Sequence, residues 1–160
     1  MERFSADPTA RRDLSYDSDL TGEISLPVLT MHAIGDPSVV VEHEAAYRAT
    51  VRYAGRSGYL VQTFTTEAEH GELSNAEYAN SISALDTWVR TGRRPTPQSI
   101  AKSCAAFDRS YHSGCFYDAS FSPAPYASKI RPRDGNVRWP AMTAAQERAW
   151  SRIDGVGIAP

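Results

Sequence analysis

The sequence contains no apolar run that approaches the roughly 20 residues needed for a membrane-spanning helix. Residues 1–8 also lack the apolar core of a signal peptide, so we expect none on the chain as it stands. We therefore expect no membrane association and a soluble protein. The compartment stays open: the chain as given suggests the cytoplasm, whereas a signal peptide on a preceding segment would mean export.

Positive charge is not concentrated anywhere in the sequence, whose net charge is −2. Three arginines in a Pro-rich stretch, Arg131, Arg133 and Arg138, form a loose basic group that we interpret as a solvated loop. A nucleic-acid partner is therefore not expected. The 160 residues suffice for one domain with its own core, and a 41% hydrophobic content argues against wholesale disorder.

The sequence has only two cysteines, Cys104 and Cys115. In a cytosolic protein we would expect two free thiols, and in an exported protein we would expect one disulfide. A zinc site would need further ligands at a recognisable spacing, and His112 is the only candidate nearby. We expect neither a metal nor a cofactor.

Between residues 24 and 92 the pattern alternates between strand and helix. Residues 24–32 are nearly all apolar, which is typical of a strand covered on both faces, and residues 59–66 are rich in β-branched and aromatic side chains. A helix is predicted between them over residues 40–53. A capping box at residues 74–77 opens a second helix that ends at Gly92. The order strand, helix, strand, helix predicts an α/β fold with parallel strands, part of a doubly wound sheet.

The remaining segments do not continue this pattern. Residues 1–22 read as a polar lead-in, residues 23–95 as the α/β unit, and residues 96–160 as an irregular aromatic and Pro-rich tail that wraps over it. Within the tail, short helices are predicted at residues 97–107 and 143–153. Because two parallel strands cannot bury both faces and both edges, the tail or another polypeptide must cover them. An exposed sheet edge would favour self-association or a partner chain.

Each predicted strand leads into a loop that carries a reactive side chain. Asp36 follows the first strand in the turn Gly35-Asp36-Pro37, and His70 follows the second strand. Residues 27–40 resemble the late acid-bearing strand and loop of α/β-hydrolases. Residues 59–92 resemble the final strand, histidine loop and C-terminal helix of that fold. The separation of 34 residues suits one intervening helix and strand, and within the superfamily the chain is most similar to esterases.

The resemblance implies a catalytic triad in the chain order Ser, Asp, His, with Asp36 as the acid and His70 as the base. The substrate would be a small-molecule carboxylic ester. The chain departs from the family pattern at Glu69, where glycine is common, and it contains no nucleophile elbow G-x-S-x-G. The serine of Gly55-Arg56-Ser57-Gly58 has the wrong spacing and the wrong place. We therefore expect the chain to be the C-terminal portion of a larger hydrolase and to be inactive alone.

Other interpretations of the same residues stay open. Asp36 is also a common turn residue, and His70 could be an exposed loop histidine. His32, at the end of the first strand, is expected to be a packed side chain, and His43 to face solvent. The alternative function is a non-catalytic α/β module for binding or assembly, which either docks onto a partner or folds alone.

Overall fold

The computed structural model describes residues 7–10, 13–14 and 20–126. Within residues 20–126 the regular elements follow in the order β1 (Val28–Ala33), α1 (Glu42–Tyr53), β2 (Leu60–Thr65), α2 (Asn75–Thr91) and α3 (Pro97–Tyr111). No helix in the described ranges is long and apolar enough to cross a membrane. The helix predicted at residues 143–153, the aromatic residues Trp139 and Trp150, and the Arg131–Arg138 group lie outside the described residues.

The two strands form a parallel pair in register, from Val28 opposite Leu60 to Ala33 opposite Thr65. Helix α1 connects them, so the prediction of a mixed α/β fold with parallel strands is confirmed. Strand β1 begins at Val28 and not at residue 24. Proline 27 precedes it, and a proline has no N–H to donate to a sheet ladder.

The two strands differ in burial. All six residues of β2 are buried, whereas five of the six residues of β1 are only partly buried. The prediction that the first strand is covered on both faces is therefore wrong for the described part of the chain. The reason lies in the sheet: within residues 20–126, β2 lies on one edge of β1 and no strand pairs with the other edge.

Helix α2 has the ends that the sequence predicts. Ser74 caps its first turn by accepting from the N–H of Glu77, and Gly92 ends it in a left-handed conformation with φ of +70°. The capping box is only half formed, because the N–H of Ser74 donates to Glu67 instead of to Glu77. On its inner face Trp88 packs with Val61 and Ile100 in the core.

The segment predicted to be an irregular tail begins with a regular helix. Helix α3 runs four residues past the predicted end, and its Thr96 and Ser99 form a complete capping box. Cys104 on this helix is joined to Cys115 by a disulfide, a pairing that the sequence left open.

Beyond Tyr111 the chain is irregular up to residue 126 and covers the free edge of β2. Tyr117 forms an antiparallel bridge with Thr65, and the ring of Phe121 lies edge-on to that of Phe64 at 5.1 Å. Aromatic anchors therefore hold this part of the tail, as the sequence predicts. They pair with the end of β2, and within residues 20–126 no strand pairs with the outer edge of β1.

Candidate active site

The loop after β1 positions the Asp36 carboxylate. Oδ1 of Asp36 accepts two backbone hydrogen bonds, from the N–H groups of Ser38 and Val39, both at 2.8 Å. The turn is closed further by the N–H of Asp36, which donates to the carbonyl of Ala33. Asp36 is thus a turn residue, as one interpretation of the sequence had it, and its second oxygen remains available.

The loop after β2 brings His70 to that second oxygen. Nδ1 of His70 lies 2.8 Å from Oδ2 of Asp36, across 34 residues of sequence. The Asp36 side chain is 7% exposed, whereas the His70 side chain is 55% exposed. The carboxylate is therefore covered and fixed, while the imidazole of His70 stays accessible. The structure brings together the two site residues that the sequence singles out.

These contacts favour the ionised form of Asp36. The hydrogen bond from the Val39 N–H is the largest cause that lowers the pKa of Asp36. Burial acts in the opposite direction, and the contacts with His70 and with the Ser38 N–H lower the pKa further. Together they lower the pKa of Asp36 to about 2. Asp36 is a carboxylate at every pH at which a histidine base could work.

A depression of about 410 Å³ adjoins this pair. Its lining includes polar side chains, namely His32, Asp36, His70, Tyr78 and Ser81. Apolar side chains from β1, the His70 loop and α2 make up much of the rest, among them Met31, Leu73 and Ile82.

The His70 loop is anchored at both ends. At its start, Oε2 of Glu67 accepts from the Thr65 hydroxyl at 3.1 Å and from the Ser74 N–H at 3.3 Å. Further along, the hydroxyl of Tyr78 donates to the carbonyl of Gly71 at 3.0 Å. The exposed imidazole therefore projects from a loop whose backbone is held by β2 and α2.

Glu77 is a buried carboxyl group beneath this loop, whereas the role predicted for it from the sequence is only that of a helix cap. Its Oε1 accepts from the Phe116 N–H at 2.6 Å, and its side chain is fully buried. Burial is the largest cause that raises its pKa to about 7; the Phe116 N–H opposes the change and the neighbouring Glu67 carboxylate adds to it.

No described serine is placed to act as the nucleophile. Ser57 lies before β2 and His70 after it, so a strand of six residues, about 20 Å long, lies between them. Ser81 lines the depression, but its hydroxyl pairs with the Tyr117 hydroxyl at 2.7 Å. In the part of the chain that the structure describes, no serine hydroxyl hydrogen-bonds to His70.

Comparison with known proteins adds no relative. No family model, curated protein or solved structure matches this chain. Its chemistry is therefore inferred from its own side chains.

Within the described residues, no group of three or more His, Cys, Asp or Glu side chains is arranged to hold a metal ion. A carboxylate-oriented histidine beside an apolar depression is the feature from which a function can be argued.

Proposed function

We propose that Asp36 and His70 are the acid and base of a Ser–His–Asp triad that hydrolyses carboxylic esters. The observation that carries the proposal is the 2.8 Å contact between Oδ2 of Asp36 and Nδ1 of His70. In such a triad the carboxylate accepts from Nδ1–H, fixes the tautomer and stabilises the imidazolium. Nε2 then takes the proton of the attacking hydroxyl and returns it to the leaving group.

The surroundings of the pair support a catalytic role over a simple surface ion pair. Two backbone N–H groups hold the carboxylate from behind, so its orientation does not depend on His70. The imidazole is exposed at the rim of the depression, where a bound ester would meet Nε2. An exposed ion pair formed only for stability would contribute little and would not need this support.

We further propose that β1 and β2 are the last two strands of a doubly wound sheet of the α/β-hydrolase type. The parallel pairing, the helical connection and the placing of acid and base after successive strands support it. The partial burial of β1 also supports it, since a neighbouring strand would cover the exposed edge. In that fold the nucleophile and the oxyanion-hole donors lie on strands that precede these two.

The nucleophile must then come from outside residues 20–126. A base without a nucleophile or an oxyanion hole loses nearly all transition-state stabilisation. The described unit is therefore half of an active site, and we expect the chain alone to be inactive toward esters.

Reaction with a fluorophosphonate probe, which labels activated serines, tests the proposal. The purified chain should not be labelled. If the reading frame upstream encodes a G-x-S-x-G segment, that segment produced together with this chain should be labelled at its serine. His70→Ala and Asp36→Asn should lower its rate of ester hydrolysis by about 10³ to 10⁴-fold. The control is His43→Ala, which removes an exposed histidine from α1 and should leave the rate unchanged.

Two results would contradict the proposal. One is rapid labelling of a serine on the chain alone. The other is ester hydrolysis by the combined polypeptides that His70→Ala does not reduce.

The second candidate function is a non-catalytic assembly module. It is favoured by the outer edge of β1, which no strand within residues 20–126 pairs with and which could accept an incoming strand. The variants described above distinguish the two candidate functions. In an assembly module, His70→Ala would change neither partner binding nor any measurable reaction.

A further inference from the structure

A second histidine lies directly beneath the turn that carries Asp36. Nε2 of His32 lies 3.0 Å from the carbonyl oxygen of Val39 and 3.9 Å from Oδ2 of Asp36. On the other side of the ring, Nδ1 lies 3.5 Å from Oε1 of Glu44. The His32 side chain is only 12% exposed, so the ring is packed, as the sequence predicts, but it is packed among acceptors.

The partners of His32 indicate its charge state. A carbonyl oxygen and a carboxylate can only accept, so both ring nitrogens need a proton to satisfy them. The hydrogen bond to Glu44 is the largest cause that raises the pKa of His32; burial opposes it, and the Val39 carbonyl and the charge of Asp36 add to it. These contacts favour the protonated form of His32.

Glu44 is itself held in place by both strands. Its Oε2 accepts from the Thr30 hydroxyl at 2.8 Å and from the side-chain amide of Gln62. The same amide reaches the backbone carbonyl of Glu44 at 2.9 Å. Burial would raise the pKa of Glu44, but the hydrogen bonds from His32 and Thr30 outweigh it and hold that pKa below its ordinary value. A fixed carboxylate on α1 therefore holds the His32 ring.

Val39 connects His32 to the candidate acid. Its carbonyl accepts from His32, while its N–H donates to Oδ1 of Asp36 and is the largest cause of the low pKa of Asp36. We propose that His32, held by Glu44, is a positioning residue for the acid–base pair: it fixes Val39 and so aims the Asp36 carboxylate at His70. Its catalytic consequence rests on the proposed function, but its structural consequence can be measured without any ester.

Nuclear magnetic resonance on the whole chain tests this proposal. The Asp36 carboxyl carbon reports its titration, and the ring nitrogens of His70 report the fraction of molecules with the proton on Nδ1. In the unaltered chain the carboxyl should titrate near 2. His32→Ala should raise the pKa of Asp36 by about one unit and lower the fraction of the Nδ1–H form.

Two further variants make the test specific. His32→Gln keeps an N–H donor for the Val39 carbonyl, so it should rescue part of the effect on both readouts. Glu44→Gln leaves the turn untouched and removes the charge that holds the imidazolium, so it should shift both readouts in the same direction as His32→Ala. The matched control is His43→Ala, an exposed histidine on the same helix as Glu44, which should change neither.

The results for the unaltered chain and for the variants answer different questions. If His70 in the unaltered chain does not carry its proton on Nδ1, the proposed triad fails. If it does, but His32→Ala and Glu44→Gln leave both readouts unchanged, the positioning role of His32 is overturned and the triad stands. The positioning role would also be overturned if His43→Ala changed both readouts as much as His32→Ala does. The effect would then be a general loss of stability and would not be specific to His32.

Discussion

The two oxygens of Asp36 have separate partners. Oδ1 accepts from the turn, and Oδ2 accepts from His70. An asparagine could keep the first set of contacts, but its amide would present N–H groups to Nδ1 and favour the wrong tautomer of the imidazole. Only a carboxylate with a short side chain serves both partners, which is why a turn residue is also suited to be the acid of a triad.

At the same scale, Glu77 predicts an unusual dependence of stability on pH. Its pKa of about 7 in the folded chain lies above the value near 4.3 of an unfolded glutamate. The folded state therefore retains a proton that the unfolded state has lost, so the stability that Glu77 contributes is complete below pH 4 and is lost as the pH rises to about 7. Glu77→Gln mimics the protonated form and should gain roughly 3 kcal/mol over the unaltered chain at pH 8, with no gain at pH 4.

Urea unfolding at pH 4, 6 and 8 measures this difference. Asp36 and His32 also titrate, but they are common to both proteins and cancel in the comparison. Glu23→Gln, at an exposed position, is the control and should follow the unaltered chain. If Glu77→Gln and the unaltered chain had the same free energy of unfolding at pH 8, the ionisation of Glu77 would not destabilise the fold, and the prediction would be wrong.

The residues that could be predicted from the sequence were those next to a strong local signal. Asp36 follows an apolar strand within a Gly-Asp-Pro turn, and His70 follows the second strand, so their meeting could be inferred from parallel topology. His32 and Glu44 could not be paired in the same way. Twelve positions apart, they meet only because the chain turns back after β1 and α1 brings Glu44 to the strand.

At the scale of elements, the N-terminus of α2 is a junction between the His70 loop and the tail. The Ser74 hydroxyl caps the helix and also contacts the carbonyl of Gly114 at 2.5 Å, while the Ser113 hydroxyl accepts from the Ala76 N–H. The disulfide lies beside this contact, because Cys115 follows Gly114 directly. One helix end thus fixes both the candidate base and the segment that closes β2.

Removing the Ser74 hydroxyl should therefore cost more than an ordinary cap. Ser74→Ala loses the cap and leaves the Gly114 carbonyl without this donor, and we expect a loss of about 1 to 2 kcal/mol in the free energy of unfolding. Urea unfolding at constant pH measures it. Ser83→Ala, at an exposed position inside the same helix, should be neutral or slightly stabilising because alanine favours helices. A change in Ser74→Ala no larger than in Ser83→Ala would contradict the role of this junction.

Element boundaries were predictable where a cap or a breaker marks them. Ser74 and Gly92 bound α2 as predicted, and Proline 27 explains why β1 starts later than its apolar run. Helix α3 was harder to delimit. It continues to Tyr111 through Arg109 and Ser110, two polar residues that also suit a loop, and its end at His112 depends on a left-handed residue other than glycine.

At the scale of the whole molecule, the two strands are unequally covered. Tail residues close the free edge of β2, while within residues 20–126 the outer edge of β1 has no partner. Helix α2, which packs against β1, exposes an apolar stripe that includes Ile82 and Val89, residues that are 68% and 61% exposed. Pairing with another chain would cover the edge and the stripe together.

We therefore expect the purified chain to self-associate at micromolar concentrations, through the edge of β1 and the apolar stripe of α2. Ile82→Glu combined with Val89→Glu places charge on the stripe and should shift the chain toward monomer, as sedimentation velocity over a concentration series would show. Ser83→Glu combined with Thr87→Glu adds the same charge to exposed polar positions of α2 and should leave association unchanged. A monomer at all concentrations, with cooperative unfolding, would mean that the α/β unit is complete without a partner. Because a half-site needs its missing half, that outcome would also weaken the proposal that the nucleophile is supplied by another segment.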